Sequence, residues 1–402
     1  MQERHPAAVQ RTAWPQVISV VFGGTAVALQ VGKASVTLTV LSADFSLNVI
    51  AAAAYLSCIS VFAALTGWAF GAVAGRIGVR TSATLGLAIM GVASAAGAFV
   101  GGFGWLMAVR LAEAVALLMF VAAAPAILRE ATKPGEEAVP FGLWAMWLPI
   151  GLAVGMLLGR FALEPFGWRV IHLLCAIPPL AAAVLMAVLV LSRKPVRQTP
   201  ASPKGGTSVL RSPEVLQMAI CFGLFSCGYM TFAGFIPTLA TETMQLSVDG
   251  AAALGFWTAI LVIPGNLTTV FGARIGLANR QLLIIAFALM ATAGAVVFLT
   301  PAPIAMRVVA SFVYAYAAGI APGVLWAAIP ALADSTGLPA PKVSAFFFQS
   351  SAIGQVLGPL IAGSLVQTTG SWSAVSVLVG GAALVAIVYL VLWPSVQRVS
   401  RS

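Results

Sequence analysis

The segment from Trp105 to Arg129 reads WLMAVRLAEAVALLMFVAAAPAILR, and it decides the fold class. An α-helix rises 1.5 Å per residue, so about 20 apolar residues cross a hydrocarbon core that is about 30 Å thick. Within this segment only Arg110 and Glu113 are charged before the final arginine. A run of this length and composition predicts a membrane-spanning helix.

Apolar stretches of this kind recur along the whole chain, which is 60% apolar and 8% charged. Soluble domains carry about 25% charged residues, so a water-soluble fold is excluded. The alternating ten-residue segments of a transmembrane β-barrel are absent from the sequence, which leaves helices as the way to satisfy the backbone in the bilayer. We therefore predict an all-α membrane protein with twelve transmembrane helices, at about 15–42, 48–74, 80–102, 105–129, 138–163, 168–192, 213–241, 250–273, 280–299, 304–331, 341–367 and 372–394.

The longest polar interruption, residues 193–212, predicts a linker between two halves because it combines basic residues with several prolines and glycines. We predict tails at 1–14 and 395–402, and six-helix bundles at 15–192 and 213–394. Four features recur in the same order about 200 residues apart, as expected for a duplicated unit. They are Gly75-Arg76-Ile77-Gly78 with Ala273-Arg274-Ile275-Gly276, Arg110 with Arg307, Gly151 and Gly155 with Gly354 and Gly358, and Trp168 with Trp372.

The placement of the cations predicts the orientation. If the N-terminus is cytoplasmic, 16 of the 21 Lys and Arg residues lie on the cytoplasmic side, in the tails, the linker and the loops on that side. The positive-inside rule then places both termini in the cytoplasm, and we expect a multi-pass protein of the bacterial inner membrane.

The formal charge of +10 does not indicate nucleic acid, since the basic residues lie in short loops rather than on one soluble face. The four cysteines and two histidines show no ligand spacing, so we expect neither a metal site nor a cofactor. The sequence contains no H-E-x-x-H and no nucleophile beside a base, so we do not expect an enzyme. We expect a monomer in the lipid bilayer.

The loop Gly71-Ala-Val-Ala-Gly-Arg-Ile-Gly-Val-Arg80 resembles the G-x-x-x-D-R-x-G-R-R motif of the major facilitator superfamily. The resemblance covers essentially the whole chain, and it implies a secondary transporter that works by alternating access. It assigns a conformational role to Gly71, Arg76, Gly78 and Arg80. The acidic position of the motif is Gly75 here, so the interaction that helps to hold the outward-facing state in that family is in question.

Two further stretches carry family resemblance. Arg110-Leu111-Ala112-Glu113 is similar to the R-x-x-Q-G pattern of the fourth helix, with Glu113 in place of glutamine. The stretch from Leu143 to Gly151 is similar to the cyanate/nitroimidazole-type carriers. The glycines at 151, 155 and 159 partly match a signature of drug/proton antiporters, but close packing of the fifth helix against a neighbour explains them better, so they do not indicate an exporter. The subfamily stays unassigned.

Charges inside the membrane are costly and tend to be paired and functional. Lys33 in helix 1 and Glu113 in helix 4 are predicted at similar depth, and Arg110 lies one turn from Glu113 on the same face. We predict that the three residues form one cluster, flanked by Gln30 and Thr37. A salt bridge that only holds the two helices together remains an alternative.

The resemblance places helices 1, 4, 7 and 10 around the cavity. From this we predict a proton-coupled carrier for a small organic anion or zwitterion, with Glu113 as the proton site. The alternative is a proton antiporter that exports drugs or amphiphilic metabolites. The expected substrate contacts are Lys33, Arg110, Gln30, Thr37, Tyr229, Tyr314, Gln349 and Trp147.

Overall fold

A computed structural model of the chain describes residues 11–47, 49–191 and 209–392, and within these ranges the regular structure is entirely helical. A π-helical turn, Ala187–Leu191, continues α6, and a 3-10 turn, Val209–Arg211, precedes α7. The α-helices are α1 (Trp14–Asp44), α2 (Val49–Ile77), α3 (Val79–Gly97), α4 (Phe103–Ala131), α5 (Ala138–Ala145), α6 (Trp147–Met186), α7 (Pro213–Met244), α8 (Val248–Arg274), α9 (Asn279–Phe298), α10 (Ile304–Ala327), α11 (Ile329–Thr336), α12 (Ala340–Thr369) and α13 (Ser373–Leu392).

These helices supply twelve segments that are long and apolar enough to cross a membrane, which confirms the predicted number. One span, Ala138–Gly159, combines α5 with the first part of α6, and the rest of α6 lies in the span Phe161–Val190. Another span, Ile304–Thr336, combines α10 and α11. The break inside α6 is Gly167, whose φ of 76° suits glycine because it has no Cβ.

Helix boundaries differ from the prediction most clearly at α3. The predicted helix reaches residue 102, whereas α3 ends at Gly97 and α4 begins at Phe103. Gly101 and Gly102 lie between them, and glycine is a poor helix former, which explains why the apolar run does not continue as a helix.

By its internal contacts the chain divides into two compact units. Unit 1 comprises Met1–Gly206 and Thr336–Phe348, and unit 2 comprises Thr207–Ser335 and Gln349–Ser402. Within unit 1, α1 packs along α6, and α3 packs on α4 and α6; within unit 2, α10 packs on α8 and α9, and α13 packs on α9. Most of the predicted tails and linker lies outside the described residues.

Glycines bring two helices close together in each unit. A Cβ at Gly155 would lie 2.9 Å from Gly32 Cα, and Gly151 faces α1 one turn earlier. In unit 2, Gly354 and Gly358 face α7 at Gly223 and Cys227 in the same way. The glycine pairs that the sequence repeat aligned therefore perform the same packing role.

A tryptophan near the end of each unit repeats a second contact. Trp168 Nε1 donates to Asp44 Oδ2 at 2.6 Å, and Trp372 Nε1 donates to Glu242 Oε2 at 2.9 Å. Each bond joins the last turn of the first helix of a unit to a later tryptophan, in α6 for Trp168 and directly before α13 for Trp372.

Candidate functional site

Lys33, Arg110 and Glu113 form a buried ion cluster in unit 1, which we call the triad. Lys33 Nζ lies 2.5 Å from Glu113 Oε1, and Arg110 Nη1 lies 2.8 Å from Glu113 Oε2. The side chains are 0%, 1% and 1% exposed, respectively. Each carboxylate oxygen therefore binds one cation, and the cluster that the sequence predicted is present.

Ser94 of α3 joins the triad, although the sequence analysis missed it. Lys33 Nζ donates to Ser94 Oγ at 3.0 Å, and Ser94 Oγ donates to the backbone oxygen of His172 in α6 at 2.9 Å. Ser94 is fully buried. The only sequence signal was a serine on the small-residue face of α3, which does not reveal where that face points.

Arg110 makes further contacts with backbone oxygens. Its Nη1 donates to Gln30 O at 2.9 Å and its Nε to Tyr55 O at 3.4 Å. The guanidinium carbon lies 5.3 Å from the centre of the Tyr55 ring, within cation–π range. Arg110 Nη2 is buried and has no hydrogen-bond partner among the described residues. One donor of the guanidinium thus remains unused.

The predicted neighbours Gln30 and Thr37 lie beside the triad, but their side chains bond to the backbone. Gln30 Nε2 donates to Cys175 O at 2.6 Å, and Thr37 Oγ1 donates to Lys33 O at 2.9 Å. Both residues are fully buried. They therefore support α1 and its contact with α6 in this conformation.

The remaining predicted substrate contacts lie elsewhere. Trp147 stacks on Trp144, with ring centres 5.3 Å apart. Tyr229, Tyr314 and Gln349 belong to unit 2, where Tyr229 stacks on Phe225 at 5.7 Å and the buried Tyr314 packs against Phe232 at 4.5 Å. The candidate site in unit 1 therefore consists of the triad and Ser94.

The triad places one titratable carboxylate between two cations. Two cations and one carboxylate sum to +1, and protonation of Glu113 would raise this sum to +2. Buried charges need partners, because removing them from water is expensive. Among the described residues, no group of three or more His, Cys, Asp and Glu could hold a metal ion.

The loop motif ends in a charged contact. Gly78 has a φ of 89° and precedes α3. Arg80 donates from Nη2 to Glu130 Oε2 at 2.9 Å and from Nη1 to Val190 O at 3.2 Å, whereas Arg76 is exposed.

The first glycine of the loop motif packs closely against another helix. A Cβ at Gly71 would lie 2.7 Å from Lys342 Cα, and a Cβ at Gly75 would have no atom within 4 Å. The motif therefore combines tight backbone packing at Gly71 with open space at Gly75.

Arg307 of unit 2 aligns with Arg110 but has different partners. It is fully buried and donates to Val297 O at 2.9 Å, Thr243 O at 3.2 Å and Thr243 Oγ1 at 2.7 Å. Ala310 occupies the position that corresponds to Glu113. Unit 2 thus keeps the arginine of the repeat without the carboxylate one turn away.

Comparison with known proteins agrees with this architecture. The chain resembles the crystal structure of the human organic anion transporter MFSD10 (TETRAN), with a TM-score of 0.72 and 16% identity over 93% of this chain and 99% of that one. At this level of identity the likeness concerns the fold alone.

Two curated relatives match shorter segments. The Methylenomycin A resistance protein of Bacillus subtilis is 33% identical over 34% of this chain and 29% of its own length. The Methyl viologen resistance protein SmvA of Salmonella typhimurium is 34% identical over 26% of this chain and 21% of its own length. The chain therefore aligns with less than a third of either relative.

The model of one family, described as the Major Facilitator Superfamily, matches residues 20–348, which is most of the chain. The twelve apolar helices and the sequence repeat agree with that match. The chain belongs to the Major Facilitator Superfamily.

Proposed function

We propose that the protein is a proton-coupled transporter and that the triad is the coupling site. The observation that carries the proposal is the single carboxylate of Glu113 held between Lys33 and Arg110, at 2.5 and 2.8 Å, with all three side chains buried. Protonation of Glu113 removes the counter-ion of two buried cations, which is unfavourable unless another anion replaces it. Proton binding and anion binding therefore favour each other.

The proposed cargo is a small organic anion or zwitterion. The net positive charge of the triad supports an anionic group, and Arg110 Nη2 supplies a donor that no described residue uses. Because the triad is buried in this conformation, binding requires a second state in which α1 and α4 open toward the cargo. This requirement fits alternating access.

The proposed setting is the bacterial inner membrane, with a monomer whose two termini are cytoplasmic. The support is the distribution of Lys and Arg, 16 of 21 of which lie on one predicted side. In that setting we propose that proton and anion move together across the membrane.

The direct test uses proteoliposomes that contain pyranine, a pH-sensitive dye, and receive an inward gradient of a small polar carboxylate such as gluconate, whose acid form crosses lipid poorly. The wild type should acidify the lumen when the carboxylate enters. Glu113→Gln should abolish this proton movement while exchange of labelled carboxylate across the membrane continues. Proton movement that is unchanged in Glu113→Gln would contradict the mechanism.

Glu136→Gln is the matched control. Glu136 is exposed in the loop before α5, where the hydrogen bond from Thr12 and then the neighbouring Lys133 hold the pKa of its carboxyl below the usual value. At neutral pH this substitution also removes one negative charge, but far from the triad. We expect normal coupling in the control.

A second variant keeps the test valid if Glu113→Gln does not fold. Lys33→Met with Glu113→Gln removes one cation and one carboxylate, so the net charge of the site stays at +1. This protein should fold, and the carboxylate exchange that it retains should move no protons. Retention of proton coupling in the double variant would reject Glu113 as the proton site.

A second candidate function is export of amphiphilic compounds in exchange for protons. The resistance proteins among the relatives favour it, although they match only part of the chain. The aromatic pairs Phe225–Tyr229 and Phe222–Trp326 in unit 2 suit an apolar cargo. A thermal-shift comparison separates the two: stabilisation by methyl viologen and tetraphenylphosphonium, but not by benzoate, would favour export.

A further inference from the structure

Ser94 is a neutral partner of Lys33 that lies between two helices. Its hydroxyl accepts a hydrogen bond from Lys33 Nζ at 3.0 Å and donates one to His172 O at 2.9 Å. A hydroxyl has one donor and two acceptor positions. Because its proton is directed to α6, its lone pairs are directed toward the ammonium group.

The charge state of Glu113 decides how much Lys33 depends on Ser94. With Glu113 ionised, Lys33 Nζ has both the carboxylate and the Ser94 oxygen as acceptors. With Glu113 protonated, the negative partner is lost, the neutral carboxyl keeps only a weaker acceptor oxygen, and Lys33 Nζ depends more on the Ser94 oxygen. A buried ammonium without an acceptor is strongly unfavourable.

We infer that Ser94 is a positioning residue of the transport cycle: it keeps the Lys33 ammonium in place when Glu113 takes up its proton. The inference rests on the proposed coupling role of Glu113. It adds that α3 and α6 take part in coupling, since the hydrogen bond to His172 O fixes the direction of the hydroxyl.

The helices around Glu113 each supply a titratable side chain near its carboxyl, except α3. The nearby side chain of α3 is Ser94, which is neutral, so a substitution of Ser94 changes no charge and acts on Glu113 through Lys33. The groups are Lys33 of α1, Tyr55 and Cys58 of α2, Arg110 of α4, and His172 and Cys175 of α6.

Ser82 provides a matched control on the same helix. It is fully buried, and its Oγ donates to Met119 O of α4 at 2.9 Å. Ser82→Ala and Ser94→Ala therefore each remove one buried bond from a hydroxyl to a carbonyl. Only Ser94→Ala also removes an acceptor of Lys33.

The experiment is a pH titration of the purified protein by infrared difference spectroscopy, which needs no cargo. The protonated carboxyl of Glu113 is identified as the band that Glu113→Gln lacks. Ser94→Ala should move the midpoint of this band to lower pH by about half a unit to one unit, because the hydrogen bond to charged Lys33 is lost in both states and only the difference between the two losses moves the midpoint. The shift is downward because the substitution penalises the protonated state more. Ser82→Ala should leave the midpoint unchanged.

Ser94→Cys gives a second measurement if Ser94→Ala does not fold. Its side chain has a similar shape, but sulfur is a weak acceptor, so its midpoint should move in the same direction by a smaller amount. The inference is overturned if the midpoint of the Ser94 variants equals that of the wild type, or if Ser82→Ala shifts it equally. A carboxyl band of Glu113 that never appears would instead overturn the proposed function, and this inference with it.

Discussion

Arg110 and Arg307 occupy equivalent positions in the two units, and each lies fifteen residues before a proline in its own helix. Their partners differ, because Arg110 binds a carboxylate and Arg307 binds neutral oxygens. Arg110 binds the carboxylate of Glu113 and the middle of α1. Arg307 binds the last turns of α7 and α9. The residue one turn further along, Glu113 or Ala310, accounts for this difference.

The partners of Arg307 explain why it can be buried beside oxygens that are formally neutral. The last carbonyls of a helix lack intrahelical donors, and the C-terminal end carries a partial negative charge. Val297 O and Thr243 O belong to such ends. Arg110 bonds to carbonyls within α1 and α2, where no helix end compensates its charge, so it depends on Glu113.

The region of unit 2 that is equivalent to the triad is filled by a different kind of side chain. When the repeats are aligned by their glycine pairs and by Arg80 with Arg280, Gly228 is equivalent to Gln30 and Gly294 is equivalent to Ser94. A Cβ at either glycine would lie 2.9 Å from Tyr314, from its hydroxyl at Gly228 and from its ring at Gly294. A single aromatic side chain thus occupies the space that the polar network fills in unit 1.

The largest effect is expected when Glu113, the carboxylate that is replaced by Ala310 in unit 2, is removed. Glu113→Leu leaves two buried cations without their carboxylate, so we expect a loss of about 3–5 kcal/mol in the free energy of unfolding. Urea unfolding in detergent micelles, followed by circular dichroism, measures it. Adding Lys33→Met should recover part of the loss, and a double variant less stable than Glu113→Leu would contradict the charge argument.

A smaller effect is expected at Arg307. Arg307→Met removes three hydrogen bonds to two helix ends but leaves no unpaired charge behind, so we expect a loss of about 2–3 kcal/mol. Thr243→Val should cause about 1 kcal/mol of this loss. The same unfolding experiment ranks the variants, and a loss as large as that of Glu113→Leu would contradict the view that only Arg110 depends on a buried carboxylate.

Where the units agree, equal effects are expected. Trp168→Phe and Trp372→Phe each remove one hydrogen bond to a carboxylate, at Asp44 and Glu242, and each should cost about 1 kcal/mol. Melting temperatures of the two variants, measured side by side, should agree closely. A clear difference would mean that the repeated bond does not serve the same purpose in both units.

The smallest effect is expected at Tyr314. Its hydroxyl is buried without a hydrogen-bond partner among the described residues, so Tyr314→Phe breaks no bond and should not lower the free energy of unfolding. The variant also tests the predicted substrate contact, because a fall in transport at unchanged stability would assign the hydroxyl to the cargo. Ser94→Ala, which removes a bond that is made, should be more destabilising than Tyr314→Phe.

The sequence predicted the membrane spans because hydropathy and length are enough to identify them, and it predicted the triad because Arg110 and Glu113 share a helix face. Ser94 was beyond prediction, since nothing in the sequence fixes the rotation of α3 relative to Lys33. The orientation of Arg307 was equally hidden, because two of its three bonds go to backbone oxygens. Polar networks that depend on carbonyls leave almost no trace in the sequence.

The triad also connects helices mechanically. Through Lys33, Arg110, Ser94 and the carbonyls of Tyr55 and His172, five helices of unit 1 are connected to one carboxylate. Such a network is stiff only while every member is satisfied. Under the proposed role of Glu113, neutralising its charge would loosen several helix contacts together, so we expect the rigidity of unit 1 to respond to a single proton.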